Sequence, residues 1–192
     1  MTPASRPVSL STERFVLRSH VPADVSERWC GWAGDPDIMG PLNMPPRRST
    51  PEQMARYIAQ QDNDRSYLIG IFSKAMGQHI GFYQLDVNKL HRSAGFNVVI
   101  GDKQYWGKNA VNETRAALLT EFFERRDLEK AWGQPLARNF PMIFNYKQQG
   151  WKLEGILRGQ CRSIVDGSRI DQYQFGMLRD EWRALSKSGA KS

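Results

Sequence analysis

The sequence predicts an α+β domain built on a mixed, mostly antiparallel central sheet flanked by helices, and three observations carry that prediction. Residues 67–72 (YLIGIF), 80–87 (IGFYQLDV) and 94–100 (AGFNVVI) are short runs, apolar or alternating, parted by Gly, Asn, Lys and His turns. They read as three successive antiparallel strands. Directly after them Val111, Leu118, Leu119, Phe122 and Phe123 recur at helical spacing, so a helix follows the meander. Finally, 192 residues with 40% hydrophobic content fill one sizeable core rather than two. The expected organisation is a single domain over 1–192, with frayed tails at about 1–8 and 186–192.

The remaining elements follow from local chemistry. Residues 14–18 (RFVLR) read as a first strand, and 22–32 as an amphipathic helix with Val25, Trp29 and Trp32 on one side, broken by Asp35-Pro36. Thr50-Pro51-Glu52-Gln53 is a helix start: Thr50 caps, proline takes the first helical position, and Gln53 completes a capping box. Met54, Tyr57, Ile58 and Gln61 continue that helix. In the long helix after residue 110, Glu121 and Arg125 read as an exposed i,i+4 pair. A strand over 129–134, a short helix over 141–149 stopped by Gly150, and strands over 151–157 and 170–177 complete the chain.

A net charge of +7 favours anionic partners, whether nucleic acid, anionic lipid or a nucleotide cofactor. The lysines and arginines are spread along the chain, with no basic block larger than a pair such as Arg47-Arg48. Nucleic acid is not an expected partner: the sequence has no aromatic RNP-like strand, zinc pattern or basic recognition helix. Cys30 and Cys161 are too few for a disulfide framework and lack ligand spacing, so a reducing cytoplasm and no metal are expected. No window approaches the ~20 apolar residues a bilayer span needs, and a soluble protein with no membrane partner is expected.

The turn Trp106-Gly107-Lys108-Asn109-Ala110-Val111 has the chemistry of an anion site. Gly107 and Asn109 tolerate left-handed backbone angles, and the amides that follow are unpaired donors at a helix N-terminus. Lys108 adds a cation, and Asn112 and Thr114 add polar groups in the first turn. A plain strand-to-helix connection would use the same residues.

Order and context favour the first reading, because nearly the whole chain resembles the GNAT superfamily of N-acetyltransferases, within it the group that acetylates ribosomal-protein N-termini. The carriers are LSTERFVLR at residues 10–18, Asp35-Pro36, Thr50-Pro51-Glu52, Ile80-Gly81, IGDKQYWGK at 100–108, NFPMIFNYKQQGW at 139–151, LEGILR at 153–158 and Glu181-Trp182. The resemblance implies a domain that uses acetyl-CoA. Its pyrophosphate would rest on Trp106, Gly107, Lys108, Asn109, Ala110, Val111 and Asn112. The pantetheine arm would lie in a splay between two strands, beside Val98, Val99, Ile100 and Asn139, with the amide of Val99 or Ile100 polarising the thioester carbonyl. Tyr146 matches the family's tyrosine near the sulfur and is the expected catalytic residue, donating a proton or hydrogen bond to the departing thiolate. Packing beside Met142 and Ile143 on a short helix is the alternative role.

Three departures bear on mechanism. Asn109 and Val111 stand where relatives usually carry small residues. Gly95 replaces a common glutamate, which removes the obvious base for the incoming amine. Asp86, His91 and Glu154 are the nearest replacements, directly or through water. Pro135 falls near the end of the strand expected to flank the arm, where it cannot donate to a ladder. The acceptor pocket is expected around Trp29, Trp32, Met39, Asn43, Met44 and Arg47, with Arg47 and Arg48 able to meet an acidic acceptor such as a nucleotide-linked amino sugar or an acidic peptide. The function so implied is acetyl transfer to a primary amine, on a protein N-terminus or a small molecule. The alternative is a non-catalytic acyl-CoA sensor or scaffold. A homodimer is a compatible assembly.

Overall fold

The computed structural model describes residues 5–189. Among these, the strands are β1 (Ser9–Ser11), β2 (Phe15–Ser19), β3 (Ser66–Ser73), β4 (His79–Asn88), β5 (Ser93–Ile100), β6 (Lys130–Gly133), β7 (Lys152–Arg162) and β8 (Arg169–Leu178). They form one sheet in the order β1-β2-β3-β4-β5-β6-β8-β7. Neighbours are antiparallel except β5 and β6, which run parallel because a helix connects them. The helices are α1 (Glu27–Trp32), α2 (Pro36–Met39), α3 (Pro51–Ala59), α4 (Ala110–Arg125), α5 (Phe140–Gln148) and α6 (Arg179–Gly189). No helix of the described residues is long and apolar enough to cross a membrane.

The alternation of the meander strands sorts side chains onto two faces. Tyr67, Ile69, Ile71, Tyr83, Leu85 and Phe96 join Leu118, Leu119, Phe122 and Phe123 of α4 in the larger core. Between them, Leu68, Phe82 and Val99 turn to the other face, against Trp29, Trp32, Met54 and Ile58 of α1 and α3. Each such large side chain contributes about 1.5–3 kcal/mol by burial, so the sheet is held from both sides.

The expected helix over 22–32 is two pieces. The Asp24 carboxylate binds the Val21 amide and Arg18 and closes a 3-10 turn at Pro22–Asp24; Ser26 then caps α1 by accepting from the Trp29 amide at 3.2 Å. Asp35-Pro36 breaks the chain as expected and also starts α2, Asp35 accepting from the Asp37 amide. The Glu121–Arg125 pair forms at 3.2 Å, but Glu121 is buried at 8% exposure because it also binds Arg126, which anchors the entering chain through the carbonyls of Arg6 and Pro7. At the C-terminal end α6 continues to Gly189, past Ser186, where the sequence predicts a frayed tail. It docks on α4 through Arg183–Glu124 at 2.8 Å and Trp182 Nε1 to Thr120 Oγ1 at 3.3 Å. Val8, inside the other expected tail, is 2% exposed. Residues 1–4 and 190–192 lie outside the described residues.

Behind the tryptophans of the smaller core sits a pair the sequence does not bring together. His20 and His79 lie 4.6 Å apart, ring to ring, with His20 stacked on Trp29 and His79 on Phe72. His20 Nδ1 reaches Asp24 at 3.2 Å, while among the described residues His20 Nε2 and both nitrogens of His79 meet no hydrogen-bond partner in good geometry, His79 lying only near the Gly81 backbone. Burial pushes His20 down to about 4 despite Asp24, and His79 down to about 3, with its neighbouring imidazole adding to the shift. Both rings are therefore neutral in the fold, and the unfolded chain takes up protons first as pH falls below 6.5. Stability is intact above that pH and is lost on descending toward 4 and 3. We expect His79→Phe to retain about 3 kcal/mol more stability than the parent at pH 4 and to match it near pH 7, read by chemical denaturation. Parallel stability curves from pH 7 to 4 would contradict this.

Candidate active site

The site begins where two strands part. β5 and β6 pair over three positions, Ser93 with Lys130, Ala94 with Ala131 and Gly95 with Trp132. β5 then runs on to Ile100, still paired to β4, while β6 ends at Gly133. Past Gly133 the chain leaves β5 and stays with β8, its partner since Lys130: Gln134 O accepts from Gln172 Nε2, Pro135 O accepts from the Tyr173 amide at 2.9 Å, and Leu136 bridges to Gln172. Pro135 thus lies beyond the strand end, where its missing donor costs no ladder bond. Trp132 covers Gly95 so closely that a Cβ there would meet its ring at 2.9 Å. A glutamate at this position would collide with that ring unless the indole moved.

The parted edge of β5 carries free backbone groups. The Phe96 carbonyl faces it, since Tyr146 Oη donates there at 3.4 Å; the two-residue period puts the N–H and C=O of Val98 on the same edge. The Val99 carbonyl faces β4, 2.3 Å from where a Gly81 Cβ would sit. Ile100 returns to the opening, its carbonyl accepting from Trp106 Nε1 at 2.8 Å. Tyr146 closes the base of the gap from α5. Its ring stacks on Phe175 at 5.0 Å and meets Trp151 edge-on, and its hydroxyl lies against Gly133, where any Cβ would come within 1.9 Å of the oxygen. Asn139 caps α5 by accepting from the Met142 amide at 3.3 Å and so fixes the helix that delivers Tyr146.

Arg115 is not among the expected site residues; its signal in the sequence is a cation on the apolar stripe of α4 between Val111 and Leu118. It is 1% exposed and meets no carboxylate among the described residues. Instead its guanidinium donates to Gln149 Oε1 at 2.5 Å, Asn112 Oδ1 at 3.1 Å and Asn145 O at 3.0 Å. It also lies over the rings of Tyr146 at 4.4 Å and Trp151 at 5.3 Å. Burial pulls Arg115 below the ordinary arginine value, which does not discharge it. Burial likewise raises the Tyr146 phenol, against the downward pull of Arg115. Tyr146 is neutral and protonated at physiological pH.

At the mouth, Gly107 and Asn109 hold φ of 69° and 60°, the left-handed angles their sequence suggests. Asn109 makes no side-chain cap, so the amides of the first turn, Ala110 to Asn112, stay open to a ligand or solvent. Asn109 Oδ1 instead accepts from Asn112, which touches Gln148 and Arg115 as well. The hairpin of β1 and β2 steadies this turn. Glu113 binds Thr12 Oγ1 and Arg14 Nε, each at 2.6 Å, and Arg14 also donates to the Lys108 carbonyl. Trp106 and Lys108 are exposed beside it, and Val111, larger than the residue the resemblance expects, is buried inward.

A cavity of about 960 Å³ joins the parted strands to the space under α1–α3. Trp29, Trp32, Met39, Asn43, Met44 and Arg47, the expected acceptor residues, all line it, together with Phe96, Asn97, Val98, Val99, Asn139 and Tyr146. Gln84 and Tyr57 add a polar wall and hydrogen-bond each other, and burial pushes the Tyr57 phenol up to about 12. Asp86, His91 and Glu154 do not line it: Asp86 and His91 are exposed, His91 in the β4–β5 turn, and Glu154 pairs with Lys130 at 2.7 Å. Among the described residues no carboxylate or histidine lines the cavity.

Comparison with known proteins agrees with this geometry. A family model described as an acetyltransferase (GNAT) domain matches residues 14–151, most of the chain, and the chain belongs to that family. The fold is also that of the ribosomal-protein-S5-alanine acetyltransferase from Vibrio fischeri, at 17% identity and TM-score 0.77 over 91% of this chain and 98% of that one. The spermidine N-acetyltransferase from Vibrio cholerae, solved with CoA and spermine, is similar at 19% identity and TM-score 0.76, over 88% and 98%. A GNAT-family acetyltransferase from Bacillus anthracis gives 15% and 0.75, over 91% and 100%. Comparison of the sequence with curated proteins returns no match.

The contact between Gly133 and Tyr146 sets a test. Gly133→Ala places a methyl where the phenol oxygen lies, so we expect a loss of about 1–3 kcal/mol and at least a tenfold fall in acetyl transfer. Gly155→Ala, with open space around its Cβ, serves as control. Equal activity and melting temperature in the two variants would remove Tyr146 from the position described.

Proposed function

We propose that the chain transfers an acetyl group from acetyl-CoA to a primary amine. The observation that carries this is the parted β5–β6 pair: an open strand edge runs from an uncapped helix start at one end to a buried, protonated phenol at the other. The residues fit the donor substrate. Amides from Gly107 to Asn112, with Lys108 beside them, suit the pyrophosphate, and the Val98 and Ile100 edge suits the amide groups of the pantetheine arm. Strand alternation favours Val98 or Ile100, rather than Val99, as the donor to the thioester oxygen, where negative charge gathers.

The chemistry then needs few groups. The neutral amine forms its bond to the thioester carbon, the C–S bond breaks with its electron pair on sulfur, and Tyr146 gives its proton to that sulfur. The proton released by the amine passes to water in the cavity and restores the phenol. Arg115, above the ring, stabilises the transient phenolate. Among the described residues no side chain lining the cavity is a ready base, which favours an amine that is already deprotonated. The same feature motivates the second reading, an acyl-CoA sensor that binds and does not turn over.

Calorimetric titration with acetyl-CoA at two salt concentrations, followed by CoA-thiol release with a pool of amines and peptides, separates the two. Salt-weakened binding with amine-dependent release supports transfer; binding with no release supports the sensor. Within the transferase reading, Tyr146→Phe is expected to lower kcat roughly 100-fold with little change in acetyl-CoA affinity. Unchanged kcat would remove it from the mechanism. Asn109→Asp keeps the left-handed turn but sets a carboxylate beside the pyrophosphate, and should weaken acetyl-CoA about tenfold. Undiminished affinity would make the turn merely structural.

A further inference from the structure

The acceptor half of the cavity has an uneven chemistry that selects among amines. Its walls are apolar and large: Trp32, Met39, Leu42, Met44, Met54 and Phe82. Its polar groups are neutral amides and hydroxyls such as Gln84, Asn97 and Gln53, and its only charges among the described residues are Arg47 and Arg48. Arg48 is committed to Glu27. Arg47 uses its backbone amide to hold Ala33 O, and its guanidinium has no carboxylate partner among the described residues. Arg47 is exposed at the rim, whereas Tyr146, at the floor, is 3% exposed. An acceptor with its amine at the phenol and its body in the cavity would therefore bring its far end to Arg47.

We propose that the acceptor is a weakly basic amine carried on a bulky apolar group, with a carboxylate one or more residues away that pairs with Arg47, and that polycationic amines are rejected. This rests on the transferase reading of the same cavity. Three physical arguments support it. A polyamine entering this space would leave its second and third ammonium groups beside an arginine, with no carboxylate among the described lining residues to pair with them, and a desolvated unpaired charge is costly. With no base in the lining, an α-amine of pKa near 7.7–8.0 offers a far larger neutral fraction at pH 7.5 than a side-chain amine near 10.4. The apolar walls reward a large first side chain by burial, and a guanidinium with free donors matches a carboxylate bidentately. A peptide N-terminus of the form apolar-acidic-acidic carries all three features.

The test measures kcat/KM by mass spectrometry of the acetylated product for the C-terminally amidated peptides Phe-Glu-Glu, Phe-Ser-Ser and Ser-Lys-Lys and for spermidine, with an amidated twelve-residue peptide beginning Phe-Glu-Glu to separate a short ligand from a protein terminus. We expect the Phe-Glu-Glu sequences to exceed Ser-Lys-Lys and spermidine at least tenfold. Arg47→Gln should reduce the ratio of Phe-Glu-Glu to Phe-Ser-Ser about tenfold. Spermidine or Ser-Lys-Lys turned over as well as Phe-Glu-Glu, or an unchanged ratio in Arg47→Gln, overturns the inference and leaves transferase activity standing. Acetyl-CoA binding with no product from any of the five amines overturns the transferase reading itself.

Discussion

The site exists because β5 and β6 stop pairing. Three paired positions hold the strands parallel, and beyond Gly95 β5 keeps a strand partner on one side only. An unpaired strand edge is ordinarily a cost, since each buried N–H and C=O left without a partner loses the free energy of a hydrogen bond. Here the chain enforces the parting. Gly133 admits a phenol where any other residue would place a Cβ, Pro135 sits just beyond the strand end, and Gln134 to Leu136 stay with β8. The Phe96 carbonyl receives the phenol at 3.4 Å, a long bond that an incoming ligand can replace.

A second constraint connects the two ends of that opening. From the left-handed Asn109, contacts run through Asn112 to Arg115 and on to the face of Tyr146. Every partner of Arg115 is neutral, and Gln149, which accepts from it, also receives Trp151 Nε1 and donates to the Asn112 carbonyl. A buried guanidinium solvated only by amides and ring faces is held by geometry rather than by a counter-charge. Removing one of its acceptors would leave donors desolvated. The helix start that suits a pyrophosphate and the phenol at the far end are thus parts of one packed network, with α4 and α5 as its supports.

Where the signal is local, the sequence shows this structure directly. The three meander strands follow from a period of two, α4 from the spacing of its leucines and phenylalanines, and the Thr50 capping box forms in full, with Thr50 Oγ1 accepting from the Gln53 amide and Gln53 Oε1 from the Thr50 amide. Gly107 and Asn109 take the backbone angles their residue types allow. What depends on distant contacts is not legible. β1 is three residues with one apolar side chain, and nothing local marks β6 as parallel to β5. The burial of Glu121 is decided by Arg126, the pairing of His20 with His79 by the register of β2, β3 and β4, and the direction of the Val99 carbonyl by the register that sets Val99 opposite Phe82 of β4. Arg115 was visible as a cation on an apolar stripe, a conflict between residue type and position that marks a functional or structural exception.

The most direct test of the central claim is a crystal structure of the protein with acetyl-CoA bound. The expected complex has the pyrophosphate on the amides between Gly107 and Asn112, the arm along the Val98 and Ile100 edge of β5, and the sulfur within hydrogen-bonding reach of Tyr146 Oη in place of the Phe96 carbonyl. Acetyl-CoA bound elsewhere, or a sulfur remote from Tyr146 with the phenol still on Phe96, would contradict it.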